Sequence, residues 1–400
     1  MTDFCDQIFV SLAQWLVGSF PASWQPLVSA VVSVASIMAV FGLLFGITTV
    51  IERKMIGRIQ NRYGPNRVGL PLTDLRLFGF GQFIADGIKA LTKEDVVPRA
   101  ADKVVHFLAP LMLIVPVFLA FSVVPVGRNM VPMDIDAGVL FFFAVGAATE
   151  LAVFAAGWSS RNKYSLLGAM RAIAQMISYE IPLILSAVTV IMIAGSLSTV
   201  EIVAKQSGYH AGGWIPNGYV MTPWGLAGFV LFLIAAMAES NRSPFDLPEG
   251  ESEIVAGYFI EYSGFKFALF FLAEYLGMFA IGGMAVTLFL GGWSAPLALL
   301  DWLPSWFWFF GKLMALILLF IWIRATVPRL RIDQLMHFAW KFMLPMALIN
   351  IVDAGLWRFL PPGLERWAVC SAILVVPYVW LGKGLSGRQQ FAKRSYRYAE

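Results

Sequence analysis

The chain has 400 residues, of which 59% are hydrophobic and only 14% are charged, and its formal net charge is +4. Soluble globular domains carry about 25% charged residues. The composition therefore excludes an ordinary soluble protein and predicts an all-α, polytopic helical membrane protein. Two cysteines also exclude a disulfide framework and a cysteine-ligated zinc or iron–sulfur site.

Eight stretches come close to the roughly 20 apolar residues that cross a bilayer, and a ninth, shorter stretch follows them. These predicted spans are 28–51, 104–126, 138–158, 166–195, 221–239, 265–290, 305–323, 338–357 and 367–382. The segment 52–103 holds ten basic residues, whereas 127–137 and 196–220 hold one each. The positive-inside rule therefore places 52–103 in the cytoplasm, and counting spans places 159–165, 240–264 and 324–337 on the same side. A ninth span returns the basic C-terminal tail to that side as well.

Within the first long loop, apolar residues recur at helical spacing. Phe80, Phe83, Ile84, Ile88 and Leu91 form the repeat, and the stretch is too short and polar to span a membrane. We interpret it as an interfacial amphipathic helix. An ordinary surface helix is the alternative.

Three glutamates lie inside predicted spans. They are Glu150, Glu180 and Glu274, and Glu239 ends a further span. A charge at mid-span costs about 2.5–3.5 kcal/mol on insertion scales, which makes such residues functional candidates by default. Together they indicate a proton-conducting or charge-relay chain. The alternative is that each glutamate is neutral, hydrogen-bonded and only structural.

The loop AESNRSPFDLPEGESEIVAGYFIEYSG at 238–264 concentrates acidic residues beside the membrane. It holds six of the chain's 25 acids but one base, Arg242. Its prolines and apolar residues favour a folded turn over a solvated tether.

Other charges in or beside the predicted spans have simpler interpretations. Lys266, Lys312 and Lys341 lie near span ends, where lysine can snorkel. Asp353 is expected to be an ordinary interface charge.

Motifs for a bound cofactor are missing from the sequence. His106, His210 and His337 lack the spacing of a metal or haem pair on one helix, there is no P-loop, and GFGQFI at 79–84 does not complete the dinucleotide pattern. We therefore expect no metal and no bound cofactor on this chain. The expected surroundings are the lipid bilayer and protein partners, with no nucleic acid.

Five long strings, in the same order, resemble one family. They are IERKMIGRIQNRYGPNRVG (51–69), FIADGIKALTKED (83–95), GWSSRNKYSLLGAMRAIAQMISYE (157–180), AESNRSPFDLPEGESEIVAGYFIEYSGFKFALFFLAEY (238–275) and IRATVPRLRIDQLMHFAWKFMLP (323–345). The family is the quinone-site membrane subunit, also called the H subunit, of respiratory complex I, the proton-pumping NADH:quinone oxidoreductase. The resemblance implies an eight-helix core at 28–357, an N-terminal extension at 1–27, and a C-terminal extension at 358–400 with an extra span and a basic tail. For both extensions we favour neutral or assembly roles.

The resemblance also implies a function and partners. Quinone, the substrate, would enter through a tunnel in this chain, and its reduction would be coupled to proton translocation through a carboxylate chain. FMN, NADH and iron–sulfur clusters would reside on partner subunits. The partners would be peripheral-arm subunits with the terminal iron–sulfur cluster and the quinone headgroup site, together with small membrane subunits and antiporter-like subunits, in a bacterial cell inner membrane.

Site residues follow from the same resemblance, with no catalytic residue on this chain alone. The quinone-binding positions are Glu52, Arg53, Arg62, Asp86, Arg242, Phe245 and Asp246. The proton-relay positions are Glu150, Glu180, Glu239, Glu249, Glu251, Glu253 and Glu274. The charge-balancing bases are Arg171, Arg324, Arg329 and Arg331.

Two other functions stay open. The homologous subunit of a membrane-bound hydrogenase or of another donor-linked complex is one, although the loop motif ESNRSPFDLPEGESE favours the quinone-reducing branch. A standalone proton-coupled transporter is the other. The large loops and the lack of an internal repeat count against it.

Overall fold

The structure is a computed structural model that describes residues 2–69, 76–210, 215–246 and 255–387. Three helices are short or amphipathic: α1 (Thr2–Gly18), α3 (Gln82–Thr92) and α7 (Thr199–Gln206). A two-residue ribbon pairs β1 (Tyr209–His210) antiparallel with β2 (Ile215–Pro216). All other regular structure in the described ranges is helical.

Eight helices in the described residues are long and apolar enough to cross a membrane, and a shorter apolar helix, α8 (Pro223–Glu239), joins them. The eight are α2 (Gln25–Ile59), α4 (Lys103–Phe121), α5 (Gly138–Ser159), α6 (Lys163–Ala194), α9 (Gly264–Phe289), α10 (Ser305–Thr326), α11 (Ile332–Phe359) and α12 (Leu364–Gly387). They coincide with the predicted spans. The prediction of an all-α, polytopic membrane protein is confirmed.

Burial separates central helices from peripheral ones. Two-thirds of the apolar window of α9 is buried inside the protein, and half of that of α6. By contrast, 6% of the window of α2 and 11% of that of α12 are buried. The bundle is therefore built around α6 and α9, and α2 and α12 present most of their surface outward.

A close backbone approach between α6 and the segment before α9 shapes the interior. A Cβ atom added at Gly168 would lie 2.6 Å from the Cα of Gly257, so no side chain fits there. The approach holds a short helical turn, Gly257–Phe259, against α6. Tyr258 in this turn is 1% exposed, and its hydroxyl reaches the interior of the bundle.

The loop helix α3 lies where the repeat of apolar residues predicts a helix. Phe83 packs on α2 at Gly46, where an added Cβ would lie 2.8 Å from the ring. Ile88 and Leu91 on α3 are exposed. One part of the apolar face thus contacts the bundle and another part stays uncovered.

Two charges differ from their sequence-based interpretation. Lys312 does not snorkel, because its ammonium group donates to the carbonyls of Leu290 (2.6 Å), Gly292 (3.0 Å) and Ser294 (2.7 Å). It satisfies carbonyl groups that the C-terminal end of α9 leaves without helical partners. The interface position expected for Asp353 is also wrong, since this residue is fully buried in α11.

The Gly168 contact makes a testable prediction. Gly168→Ala should destabilise the fold by about 1–3 kcal/mol, because the new methyl group meets backbone that cannot rotate away. Gly42→Ala in α2 is the matched control, since an added Cβ there meets nothing within 4 Å and alanine favours a helix. Thermal unfolding of the detergent-purified chain measures both, and equal melting temperatures would contradict the assigned contact.

Candidate charge cluster and carboxylate cavity

One buried carboxylate contacts charged and polar groups from three other segments. Glu52 lies near the end of α2 and is 4% exposed. One of its oxygens, Oε1, pairs with Arg324 at the end of α10 and lies 3.6 Å from Nη1 of Arg242. Tyr275 of α9 donates its hydroxyl to the other oxygen at 2.5 Å. We call Glu52, Arg242, Tyr275 and Arg324 the charge cluster.

Arg242 is the most enclosed base of this cluster. It is 6% exposed, and its guanidinium lies 3.9 Å from the centre of the Tyr275 ring, within the range of a cation–π contact. Burial lowers the pKa of Arg242, but Tyr275, Glu52 and Glu274 together raise it above its ordinary value. Arg242 therefore stays a cation and interacts electrostatically with both Glu52 and Glu274.

The loop that carries Arg242 is fixed to α6. The side-chain amide of Gln175 donates to the carbonyl oxygens of Ala238 (2.8 Å) and Phe245 (2.7 Å). Phe245 is 5% exposed, and its ring lies 5.4 Å from that of Tyr179. The described part of the acidic loop, up to 246, is thus folded inward against the bundle, as its prolines and apolar residues predict.

Three of the predicted relay carboxylates line one cavity. Glu180 of α6, Glu239 of α8 and Glu274 of α9 surround a space of about 90 Å³, which Asn241 and Tyr258 also line. Tyr258 donates its hydroxyl to Glu274 at 3.1 Å. The rest of the lining is largely apolar, and a space of this volume has room for a few water molecules beside the carboxylates. We call it the carboxylate cavity.

Glu150 lies beside this cavity rather than on its wall. Its neighbour Thr149 lines the cavity, and Glu150 interacts electrostatically with Glu180 and Glu239. Glu150 Oε1 and Glu239 Oε2 are buried and find no hydrogen-bond partner in the described ranges. Buried polar atoms normally have partners, so water in the cavity is the natural partner for the Glu239 oxygen, which lies on the cavity wall.

The charge cluster and the carboxylate cavity are joined by neighbouring residues. Asn241 lines the cavity and Arg242 belongs to the cluster. In α9, Glu274 faces the cavity and Tyr275 reaches Glu52. A displacement of either backbone segment therefore moves a group in each site.

Other predicted site residues are not among those that define these two groups. Arg53 and Asp86 form their own ion pair at 2.6 Å, with side chains 48% and 39% exposed. Arg62 is exposed and donates to Gln60, Asp246 and Arg171 are half-buried, and Arg329 and Arg331 are exposed. Glu249, Glu251 and Glu253 fall outside the described residues.

Sequence reasoning missed the uncharged partners of these sites. The hydroxyl of Tyr275 donates to Glu52, and that of Tyr258 donates to Glu274. The side-chain amide of Gln175 holds the loop that carries Arg242. Their only sequence signal is the presence of a polar side chain in or beside an apolar span. That signal is common, because tyrosine and glutamine occur in many membrane helices without such a role.

The described fold and site define a polytopic helical membrane protein. Its charge cluster lies at one end of the bundle, and its carboxylate cavity lies further inside the bundle. The family model for NADH dehydrogenase matches residues 32–354. The chain is 50% identical over 343 residues to the H subunit of NADH-quinone oxidoreductase from Dehalococcoides mccartyi (strain CBDB1), covering 84% of this chain and 91% of the relative. It is 44% identical to the protein of that name in Burkholderia vietnamiensis, covering 90% and 98%.

These matches cover most of the chain at high identity. A third relative, the H subunit from Geobacillus kaustophilus, is 49% identical over 75% of this chain and 85% of its own length. The chain belongs to the family of NADH-quinone oxidoreductase H subunits. The resemblance seen in the five sequence strings is confirmed.

The charge cluster makes a second prediction. Glu52→Gln should destabilise the fold by about 3 kcal/mol, because it removes the buried anion that pairs with Arg324 and that is one of the two carboxylates balancing the buried cation of Arg242. Asp86→Asn is the matched control: it breaks the exposed pair with Arg53 and should cost less than about 1 kcal/mol. The two variants are compared by their thermal unfolding midpoints in the same detergent. Equal losses would show that burial of Glu52 adds nothing to the strength of its ion pairs.

Proposed function

We propose that this chain is the membrane subunit that carries quinone to its reduction site in an NADH-quinone oxidoreductase and couples that reduction to proton translocation. The observation that carries the proposal is the adjacency of the charge cluster and the carboxylate cavity. A site that only bound quinone would need no carboxylates deep in the membrane, where each is costly. A site that only conducted protons would need no cluster fixed to a folded loop at the membrane surface.

The chemistry assigns separate tasks to this chain and its partners. Reduction of a quinone to a quinol takes two electrons and two protons. The electrons would come from the terminal iron–sulfur cluster of a peripheral-arm subunit, since NADH, FMN and the clusters belong to partner chains. This chain would supply the apolar path for quinone and the acids near the place of reduction, with Asp246 the described loop acid beside the buried Phe245.

Arg242 is the group best placed to respond to a change of charge at the loop. Its guanidinium interacts with Glu52 on one side and with Glu274 on the other, and it stacks on Tyr275. When quinone reduction alters the charge at the loop, the balance between these two carboxylates changes. A displacement of Arg242 would therefore alter the proton affinity of Glu274 across the cavity wall.

The carboxylate cavity would carry the response inward. Glu274, Glu239 and Glu180 line one space that has room for water, and Glu150 follows beside them. Closely spaced carboxylates titrate as a coupled set, so a proton taken up by one changes the affinity of the next. The chain would end at the antiporter-like and small membrane subunits, whose proton sites it would bias.

The end of the bundle that carries the charge cluster also suits a protein partner. Large apolar side chains are exposed there, including Tyr63 (74% exposed), Phe78 (80%) and Val255 (69%). Apolar patches of this kind typically mark protein interfaces. We assign this end to the peripheral arm and, by the positive-inside rule, to the cytoplasmic side of a bacterial inner membrane.

The role given to the loop makes a third prediction. Asp246→Asn should lower NADH:quinone activity by about 100-fold, in the range for removal of a positioned acid or base. NADH:ferricyanide activity, which is taken upstream in the peripheral arm, should persist and so serves as the assembly control. Unchanged quinone reduction would refute a role for Asp246, and loss of both activities would refute an effect confined to the quinone site.

The role given to the cavity makes a fourth prediction. Glu239→Gln, in membrane vesicles that contain the assembled complex, should lower the number of protons translocated per NADH oxidised, because an amide cannot take up and release a proton at that point. Glu201→Gln, at an exposed position of α7, is the control and should leave the ratio unchanged. An unchanged ratio in Glu239→Gln with normal turnover would remove Glu239 from the path.

A further inference from the structure

The N-terminal helix α1 has three distinct faces. At 3.6 residues per turn, residues four or three apart share a face. The least exposed face consists of Asp6, Val10, Ala13 and Val17. The second face is polar or small and exposed, and consists of Gln7, Ser11, Gln14 and Gly18. The third is apolar and exposed, and consists of Ile8, Phe9, Leu12, Trp15 and Leu16.

The inner face fixes α1 to the bundle at one level. The Asp6 carboxylate accepts hydrogen bonds from the backbone nitrogen (2.6 Å) and the hydroxyl (3.0 Å) of Ser305, the first residue of α10. Arg324 of the charge cluster lies 19 residues further along that helix, about 28 Å away at 1.5 Å per residue. Helix α1 therefore lies at the end of the bundle opposite the charge cluster.

The surroundings of the apolar face are those of a bilayer surface. Exposed apolar residues, such as Leu27 and Val31, also lie in the first turns of α2, a helix long and apolar enough to span the membrane. Trp15, Trp24 and Trp302 at the same end of the bundle are exposed by 71%, 59% and 67%. Tryptophan is enriched where a membrane protein meets the bilayer–water interface.

We infer that α1 is an interfacial helix that lies in the bilayer surface opposite the charge cluster, with its apolar face among the lipids. The protein covers the least exposed face and, through the ring contact of Phe9 with Trp306 (5.8 Å between centroids), one edge of the apolar face. Water covers the polar face, and lipid covers the rest of the apolar face. Helix α1 carries no lysine or arginine, so its contact with lipid is apolar and does not depend on anionic headgroups. This role is independent of the proposed quinone chemistry.

Spin labels at adjacent positions test the inference in the assembled complex in nanodiscs. With Cys5 and Cys370 replaced by serine, single cysteines are introduced as Ser11→Cys and Leu12→Cys, and as Gln14→Cys and Trp15→Cys. Each label is probed by power saturation with oxygen, which concentrates in lipid, and with a water-soluble nickel chelate. Each pair places one label on the polar face and its chain neighbour on the apolar face.

Labels at 12 and 15 should show an oxygen-to-nickel accessibility ratio several-fold higher than labels at 11 and 14. The difference should persist when phosphatidylglycerol in the nanodisc is replaced by phosphatidylcholine. Labels at 12 and 15 that neither reagent reaches would mean that a partner subunit covers this face and would overturn the inference. So would nickel accessibility equal to that at 11 and 14, or a contact that disappears without anionic lipid.

Discussion

The ionic contacts of Glu52 are the interaction on which the rest of the site depends. A carboxylate that is 4% exposed requires compensating charge, because an unpaired buried charge costs several kcal/mol. Arg242 and Arg324 supply that charge and Tyr275 supplies a hydrogen bond. One carboxylate thereby ties together the ends of α2 and α10, the interior of α9 and the loop after α8. The loop is held by this cluster on one side and by Gln175 on the other.

This arrangement places the loop after α8 directly beside the carboxylate cavity. In the loop, residue 241 lines the cavity and residue 242 belongs to the cluster. In α9, residue 274 lines the cavity and residue 275 belongs to the cluster. Packed interiors transmit small shifts because they are dense and have discrete arrangements. A change in the ion pairs of Arg242 therefore has a short physical path to Glu274. No long chain of intermediaries is needed between the two sites.

The sequence predicted the positions of the long apolar helices and of the glutamates within them. Both follow from the free energy of transferring residues into a bilayer. A bilayer demands about 20 apolar residues per crossing, and a charged residue within such a stretch is rare enough to be recognised singly. The interpretation of Lys312 and Asp353 was wrong for the opposite reason. Whether a charge near a span end reaches water or a buried partner depends on the neighbouring helix. Lys312 meets the carbonyl groups that follow α9, which no pattern in its own helix reveals.

By itself the sequence determined the class of protein, the order of its long apolar helices, the family and the positions of the carboxylates within those helices. These follow from hydrophobic run length, from isolated charges and from long contiguous motifs. Only the tertiary structure decided which charges meet: Glu52 with Arg242 and Arg324, and Arg53 with Asp86 in a separate exposed pair. It also brought Glu180, Glu239 and Glu274 around one cavity. Helix packing sets these distances between residues far apart in the chain, and local periodicity carries no information about them.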